Sequence, residues 1–292
     1  MSKLKPFRMR YFFLILLFLT FVSKGQESSL DIGIVGGTTF YIGDLSSSIS
    51  DFSFKDLGIT GGIFIRKNFN RHIGIRFSLQ YSHITADELH RSVPIPRALN
   101  FFNNLKQAHL MGEWRIINIS IANDKIIISP FFATGGTVQL SDPYFRDITY
   151  GNVPLRLLGT EGQGIPGYPD YYKPYQFSLP VAAGLSVSLN EKVKLTAELV
   201  GNRVFGDYID DVSSAPVIFN DLLANPKGSS LALNAYISNP TLYPNPSQTP
   251  YSRGGPAVDW YYLVQFSLSY RIKSGGSSKF GGSRGLPCPT FR

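Results

Sequence analysis

Apolar and polar residues alternate along most of the chain after residue 26, and the alternation has a period of two. The clearest stretch sets Ile73, Ile75, Phe77, Leu79 and Tyr81 against His72, Gly74, Arg76, Ser78, Gln80 and Ser82. Seven other stretches behave alike, over residues 30–41, 57–66, 107–116, 126–138, 175–189, 193–201 and 260–272. Successive side chains of a strand point to opposite faces, so this period predicts eight strands, each with one apolar and one polar face. Pro130 and Pro180 fall inside two of these stretches. Proline removes a ladder donor, so bulges or shifted strand ends are expected there.

The connections alternate too. Residues 42–56, 83–106, 139–174 and 202–259 form long connections, whereas 67–71, 117–125 and 190–192 are brief. All the brief connections then lie at the same end as the N-terminus. Bacterial outer-membrane barrels have an even strand number, short periplasmic turns and long extracellular loops. A soluble sandwich has no reason to collect its long connections at one end. The predicted fold is therefore all-β: an eight-stranded antiparallel transmembrane outer-membrane β-barrel with long extracellular loops and short periplasmic turns.

In such a barrel the apolar faces meet outer-membrane lipid and the polar faces line the lumen. An eight-stranded barrel is only wide enough inside to be filled by side chains. The lumen-facing positions include Arg66, Arg76, Glu113, Arg115, Lys194, Glu198 and Arg271, a charge network expected to plug the bore. Phe40, Tyr41, Tyr81, Trp114, Trp260 and Tyr261 lie near strand ends and are expected to form interfacial girdles.

Charge changes the picture once the N-terminus is set apart. Over all 292 residues the net charge is +8, which would suit a nucleic-acid ligand. Lys3, Lys5, Arg8, Arg10 and Lys24 supply five of the 28 basic residues, and the first four precede the apolar run 11–22. Ser23 and Gly25 then offer small residues at a cleavage site. Residues 1–25 read as a secretory signal peptide, too short in its apolar part for a membrane-spanning helix. Without them the chain has 23 basic and 20 acidic residues, a net of +3, and no nucleic-acid partner is expected. The organisation predicted is a signal peptide over 1–25, a barrel over 26–272 and a flexible basic periplasmic tail over 273–292. The single cysteine, Cys288, excludes an intrachain disulfide and a cysteine-based zinc site.

Catalytic patterns are sparse. His72, His83, His90 and His109 have no paired metal-ligand spacing. His109 and Glu113 share the lumen face and are the best candidates for a lipid-modifying site, yet they would be buried mid-barrel; no enzymatic activity and no cofactor are expected. The run 159–164, GTEGQG, lacks the Lys-Ser or Lys-Thr of a phosphate loop and is read as turns. Asp207, Asp210 and Asp211 lack the calcium-loop pattern and are read as a solvated loop edge. Most of the nineteen prolines fall in the two longest connections, which are expected to be functional or mobile.

Several segments together carry a family likeness: Tyr41-Ile42-Gly43-Asp44-Leu45, then Leu158 to Gly164 (LGTEGQG), then Asp207 to Ser213 (DYIDDVS), followed by Arg253-Gly254, Ser269-Tyr270-Arg271 and Cys288-Pro289. In this order they resemble the PorG-like outer-membrane barrels associated with the type IX secretion system. The resemblance implies an anchor for a periplasmic ring built from a PorK-like lipoprotein and its PorN-like partner. Docking would then use the short turns, through Lys67, Asn68, Asn70, Arg71, Asn123, Asp124, Lys125, Asn190, Glu191 and Lys192, together with the tail. The alternative is a generic small barrel of the same kind that binds surface ligands or braces the envelope through its long loops.

Overall fold

The computed structural model describes residues 28–46, 53–90, 98–121, 126–228, 232–255 and 258–275, with backbone only at 273–275. Residues 1–25, expected to be a signal peptide, and residues 276–292 of the expected tail lie outside the described residues.

Eight long antiparallel strands close on themselves. They are β1 (Ser28–Ile42), β2 (Gly58–Asn68), β3 (Ile73–Asp87), β4 (Asn100–Arg115), β6 (Ile126–Leu140), β9 (Tyr175–Ser188), β10 (Val193–Val204) and β13 (Trp260–Gly275). Each pairs with the next, β4 pairs with β6, and β13 returns to β1. Closure removes the unpaired edges that an open sheet would present. A short strand β5 (Ile119–Ile121) extends the wall at the short-turn end. At the other end lie β7 (Pro143–Asp147), β8 (Gly151–Pro154), β11 (Pro216–Ile218), β12 (Pro250–Ser252) and two one-turn helices, α1 (Phe219–Ala224) and α2 (Leu233–Ser238). No helix among the described residues is long and apolar enough to cross a membrane.

The wall is apolar outside and polar inside over its lower part. On β3, Ile73, Ile75, Phe77, Leu79 and Tyr81 are all exposed, and Arg76, Ser78 and Ser82 are buried. Above Ser82 the polarity inverts while the period of two continues. Ile84 and Ala86 now point inward and are fully buried, and His83 and Thr85 point outward. The paired strand β4 inverts at the same height, with Gln107 and His109 inside below, and Leu105 and Phe101 inside above. The outward apolar run from Ile73 to Tyr81 matches the roughly nine to eleven residues of a tilted membrane-crossing strand. Strands β3 and β4 therefore continue as a hairpin beyond the inverted band, and the connection between them is shorter than the alternation alone predicts.

One contiguous core runs from Met111 and Phe131 in the lumen up through Leu105, Phe101 and Leu263 to Ile209, Val212, Leu155 and Leu233 of the loops. A second, smaller cluster of Ile165, Val217, Phe219, Leu222, Ala232 and Ala235 lies wholly in the loops. The described parts of the long connections thus form a packed cap over the barrel.

Pro130 and Pro180 sit in unbroken register, without the bulges expected from the sequence. The reason is where each missing donor points. Pro130 accepts from Ile116 N–H one residue past the end of β4, in the gap between the β4–β6 and β5–β6 ladders. Pro180 faces Gly135 and Gly136, at which the β6–β9 pairing lapses, and its carbonyl accepts from Thr134 Oγ1 at 3.0 Å.

Candidate functional site

Two buried polar assemblies and one exposed rim are built by this frame. The first assembly fills the lower lumen. Inward alternation brings Arg66 of β2, Arg76 of β3, Glu113 and Arg115 of β4, and Lys194 and Glu198 of β10 into the bore, all buried. Glu113 receives three arginines: Arg66 Nε at 2.9 Å, Arg76 Nε at 3.2 Å and Arg115 Nη2 at 3.1 Å. Arg76 also reaches across the lumen and grips Glu198 at both oxygens, at 2.7 and 2.8 Å. β3 and β10 face each other across the barrel, so this bidentate pair closes the bore. Asp31, absent from the predicted network, holds Lys194 at 3.6 Å and Arg271 at 3.4 Å and accepts from Asn68. Inward-facing Gly184 leaves the space this plug needs, because a Cβ there would stand 2.8 Å from Glu198 Cβ. Higher up, Gln80 bonds Gln265 at 2.6 Å, and Tyr261 contacts Gln107 and Gln139 at 2.6 and 2.7 Å. His109 places Nδ1 2.7 Å from Thr137 Oγ1, and Glu113 is committed to its arginines.

Tyr41 and Tyr261 are corrections to the predicted girdle. Both are buried inside the barrel, because Tyr41 shares the parity of Asp31 and Thr39, and Tyr261 that of Gln265 and Ser267. The outer face carries Phe40, Tyr262 and Trp260 instead, in a continuous stack with centroid spacings of 4.9 and 6.0 Å. Tyr81 and Trp114 are exposed on that face.

The second assembly sits where the cap meets the barrel. It joins segments far apart in sequence: 41–45, 158–164, 207–213 and 253–255. Tyr41 Oη lies 2.6 Å from Asp210 Oδ2 and 2.7 Å from Asp259 Oδ1, and accepts from Asp44 N–H at 3.0 Å. A phenol has one proton and here two carboxyl neighbours, so one carboxyl must carry a proton of its own. Burial supplies the cause: it raises Asp210 well above the ordinary range and pushes Asp259 up to about 8. Beside this trio, Arg253 donates to Thr160 Oγ1 at 2.7 Å, to Asp211 Oδ2 at 3.0 Å, to Asp211 O and to Ser238 O. Asp211 also accepts from Thr160 and Tyr172. Glu161 accepts from Ser213 N and Oγ at 2.7 and 2.6 Å, yet its burial outweighs these donors and pushes it up to about 7. Gly254 N–H and Gly255 N–H close the circle on Ser213 O and Asp44 Oδ1.

The reading of Asp207, Asp210 and Asp211 as a solvated edge is therefore wrong for Asp210 and Asp211, each 1% exposed. Ile209 and Val212 pull that loop into the barrel mouth, and Asn103 Nδ2 fixes it by donating to Ile209 O at 2.7 Å. The GTEGQG run does form turns. Gly162 has φ of 82°, and a Cβ there would stand 2.4 Å from the Tyr168 ring, so only glycine fits. The described parts of the long loops, expected to be functional or mobile, are packed. Among the described residues no group of three or more His, Cys, Asp or Glu side chains is arranged to hold a metal ion.

The rim is formed by the short turns. Arg71, Asn190, Glu191 and Lys192 are exposed and Lys67 and Asn70 half-buried. Asn70 and Asn190 have matching structural work: each Oδ1 accepts from the two backbone N–H groups that start the next strand, all at 2.7 to 2.8 Å. Asn68 is a correction. It shares the inward parity of Arg66, is buried, and donates to Ser29 and Asp31 while accepting from Arg115, so it belongs to the plug and not to a docking surface. Asn123, Asp124 and Lys125 lie outside the described residues. Ile116, Ile117, Ile119 and Ile121 add exposed apolar surface to the rim in and beside β5, a feature hidden in the sequence by the shortness of its alternating run.

A family model described as a domain of unknown function, DUF6089, matches residues 9–151, a little under half of the chain. Among curated proteins none matches. Among solved structures the chain is similar to Neisserial surface protein A, with 11% identity, 84% of this chain and 97% of that chain covered, and a TM-score of 0.40. It is also similar to the N-terminal β-barrel domain of Pseudomonas aeruginosa OprF, with 11% identity, coverage of 85% and 100%, and a TM-score of 0.34. For Ail, the attachment invasion locus protein of Yersinia pestis, the values are 12%, 85%, 100% and 0.35.

Proposed function

We propose that this chain is a plugged, non-conducting barrel of a Gram-negative outer membrane, which holds a periplasmic assembly at the membrane through its short-turn rim. The observation that carries the reading is the inverted wall: rows of exposed Ile, Leu, Phe and Val outside, with paired charge inside. Such a wall is stable only in lipid, where a closed barrel also satisfies every backbone group. A bore crossed by the Arg76–Glu198 pair and capped by Ile209 and Val212 offers no passage for a folded cargo protein. That leaves surfaces, not a channel, as the working parts.

The partner we assign to the rim is the ring of the type IX secretion system, made of PorK-like and PorN-like proteins. The support for it is the PorG-like resemblance. The segments that carry that resemblance at 41–45, 158–164, 207–213 and 253–254 meet in one buried cluster. The second reading, a generic small barrel acting through its outer loops, draws on the ordered cap, where Leu157 and Phe205 are exposed.

The test is crosslinking in intact membranes. Photo-crosslinking residues replace Arg71 and Lys192 at the rim, or Leu157 and Phe205 on the cap, and a purification tag is inserted within 91–97. Rim crosslinks to a lipoprotein and its soluble partner support the anchor. Crosslinks only from the cap, with secretion intact in a deletion strain, support the second reading.

A further inference from the structure

The charges in the lower lumen do not balance. Among the described residues, Arg66, Arg76, Arg115, Lys194 and Arg271 face Asp31, Glu113 and Glu198, which leaves two positive charges in excess. The carboxylates are fully committed: Glu198 to Arg76, Glu113 to three arginines, and Asp31 to Asn68, Lys194 and Arg271. Arg66 gives Nε to Glu113, but its buried Nη1 has no hydrogen-bond partner among the described residues. Among the described residues Lys194 has only Asp31 as a counter-charge, at 3.6 Å. A buried ionic donor without a counter-charge is costly, so a site of this kind draws an anion if one can reach it.

A route exists. Side-chain exposure climbs from 2% at Arg66 through 6% at Arg115 and 11% at Lys194 to 33% at Arg271. The cations therefore line a funnel that opens at the short-turn end. Arg66 and Arg271 stand opposite Asp31 on its two neighbouring strands, and Lys194 reaches it at 3.6 Å, which places the three around one volume.

We propose that this end of the lumen is a binding site for a small oxyanion of the phosphate class, held by Arg66 Nη1, Lys194 Nζ and the Arg271 guanidinium. Guanidinium forks suit the tetrahedral oxygens of such an ion, and the lysine adds a point charge. The same chemistry is offered by free phosphate and by the phosphate of a lipid headgroup entering from the adjacent leaflet.

The experiment uses the full mature chain, folded in non-ionic detergent, at constant ionic strength set with sodium chloride. Inorganic phosphate and glycerol 3-phosphate are titrated separately, with the thermal midpoint and titration calorimetry as readouts. The expected result is a saturable rise of about 3 °C or more. In Lys194→Met, which leaves the Glu113 arginines in place, affinity falls about tenfold or more, whereas the outer-face variant Lys106→Gln binds as the parent does. Arg66→Gln should abolish binding, but it also disturbs Glu113, so the lysine variant decides. Tighter binding of inorganic phosphate supports the site with a free ion as its source, and tighter binding of glycerol 3-phosphate supports it with a headgroup as its source. No saturable response to either, or an equal response in Lys194→Met, overturns the proposal, because the surplus is then met by the chain itself.

Discussion

The lower barrel and the cap are built from the same alternating strands and opposite rules. Below Ser82, β3 keeps arginine and serine inside and isoleucine, phenylalanine and leucine outside. Above it, Ile84 and Ala86 go inside and His83 bonds Asn104 at 2.8 Å on the outer face. Neither the period nor the strand changes; the solvent does. Where lipid surrounds the wall, apolar side chains gain nothing by pointing inward, and the interior must be held by paired charge. Where water surrounds it, ordinary burial drives the core. The height of the inversion thus marks where the surrounding medium changes.

The comparison can be broken most strongly in the lumen. Glu113→Ala leaves three buried arginines without their shared carboxylate, and is expected to cost about 3–5 kcal/mol of barrel stability. Heat-dependent gel migration and unfolding in detergent measure it. Arg253→Met should cost about 3 kcal/mol, but only in the cap, since it frees Thr160, Asp211 and Ser238 and touches no barrel strand. Limited proteolysis should then cut the loops while the barrel's migration stays unchanged. On the outer face, Leu110→Arg should cost about 2–3 kcal/mol in lipid, and Asn104→Arg, six residues further up the same face of β4, close to nothing.

The cap should also respond to pH. Glu161 at about 7 and Asp259 at about 8 both stand above their unfolded values of 4.5 and 3.8. The folded cap therefore binds more protons than the unfolded one, and its stability is greatest below those unfolded values and falls as pH rises towards 8. Loop proteolysis compared at pH 5 and pH 8.5 should be faster at the higher pH. The smallest effect is local: Asn70→Ala or Asn190→Ala removes the side-chain oxygen that accepts from two turn N–H groups and should cost about 1 kcal/mol each.

The strands of the lower wall were legible because lipid and lumen impose opposite polarity on alternate residues. Parity alone placed Arg66, Arg76, Glu113, Arg115, Lys194 and Glu198 inside. The same parity puts Tyr41 and Tyr261 inside, and reading them as girdle residues ignored it in favour of their position near strand ends. The upper extensions of β3 and β4 were lost because the alternation continues there with its polarity reversed. The cap was hidden for a different reason. Its core contacts join residues such as Tyr41 and Asp210, which no local period relates, and its acidic residues look solvated until Arg253 and Tyr172 are brought to them. The exposed Ile117, Ile119 and Ile121 alternate with Asn118 and Ser120 over only five residues, too short a run to read as a strand, and only the folded rim shows them as one surface.

The most direct test of the central claim is depth-resolved quenching across the inversion. In a Cys288→Ser background, Leu79→Cys, Leu110→Cys, His83→Cys and Asn104→Cys are labelled with one fluorophore and reconstituted in vesicles. The account predicts that labels at 79 and 110 are quenched by brominated acyl chains and shielded from iodide, and that labels at 83 and 104 show the reverse. Iodide quenching at all four positions, with the protein soluble without detergent, would contradict it.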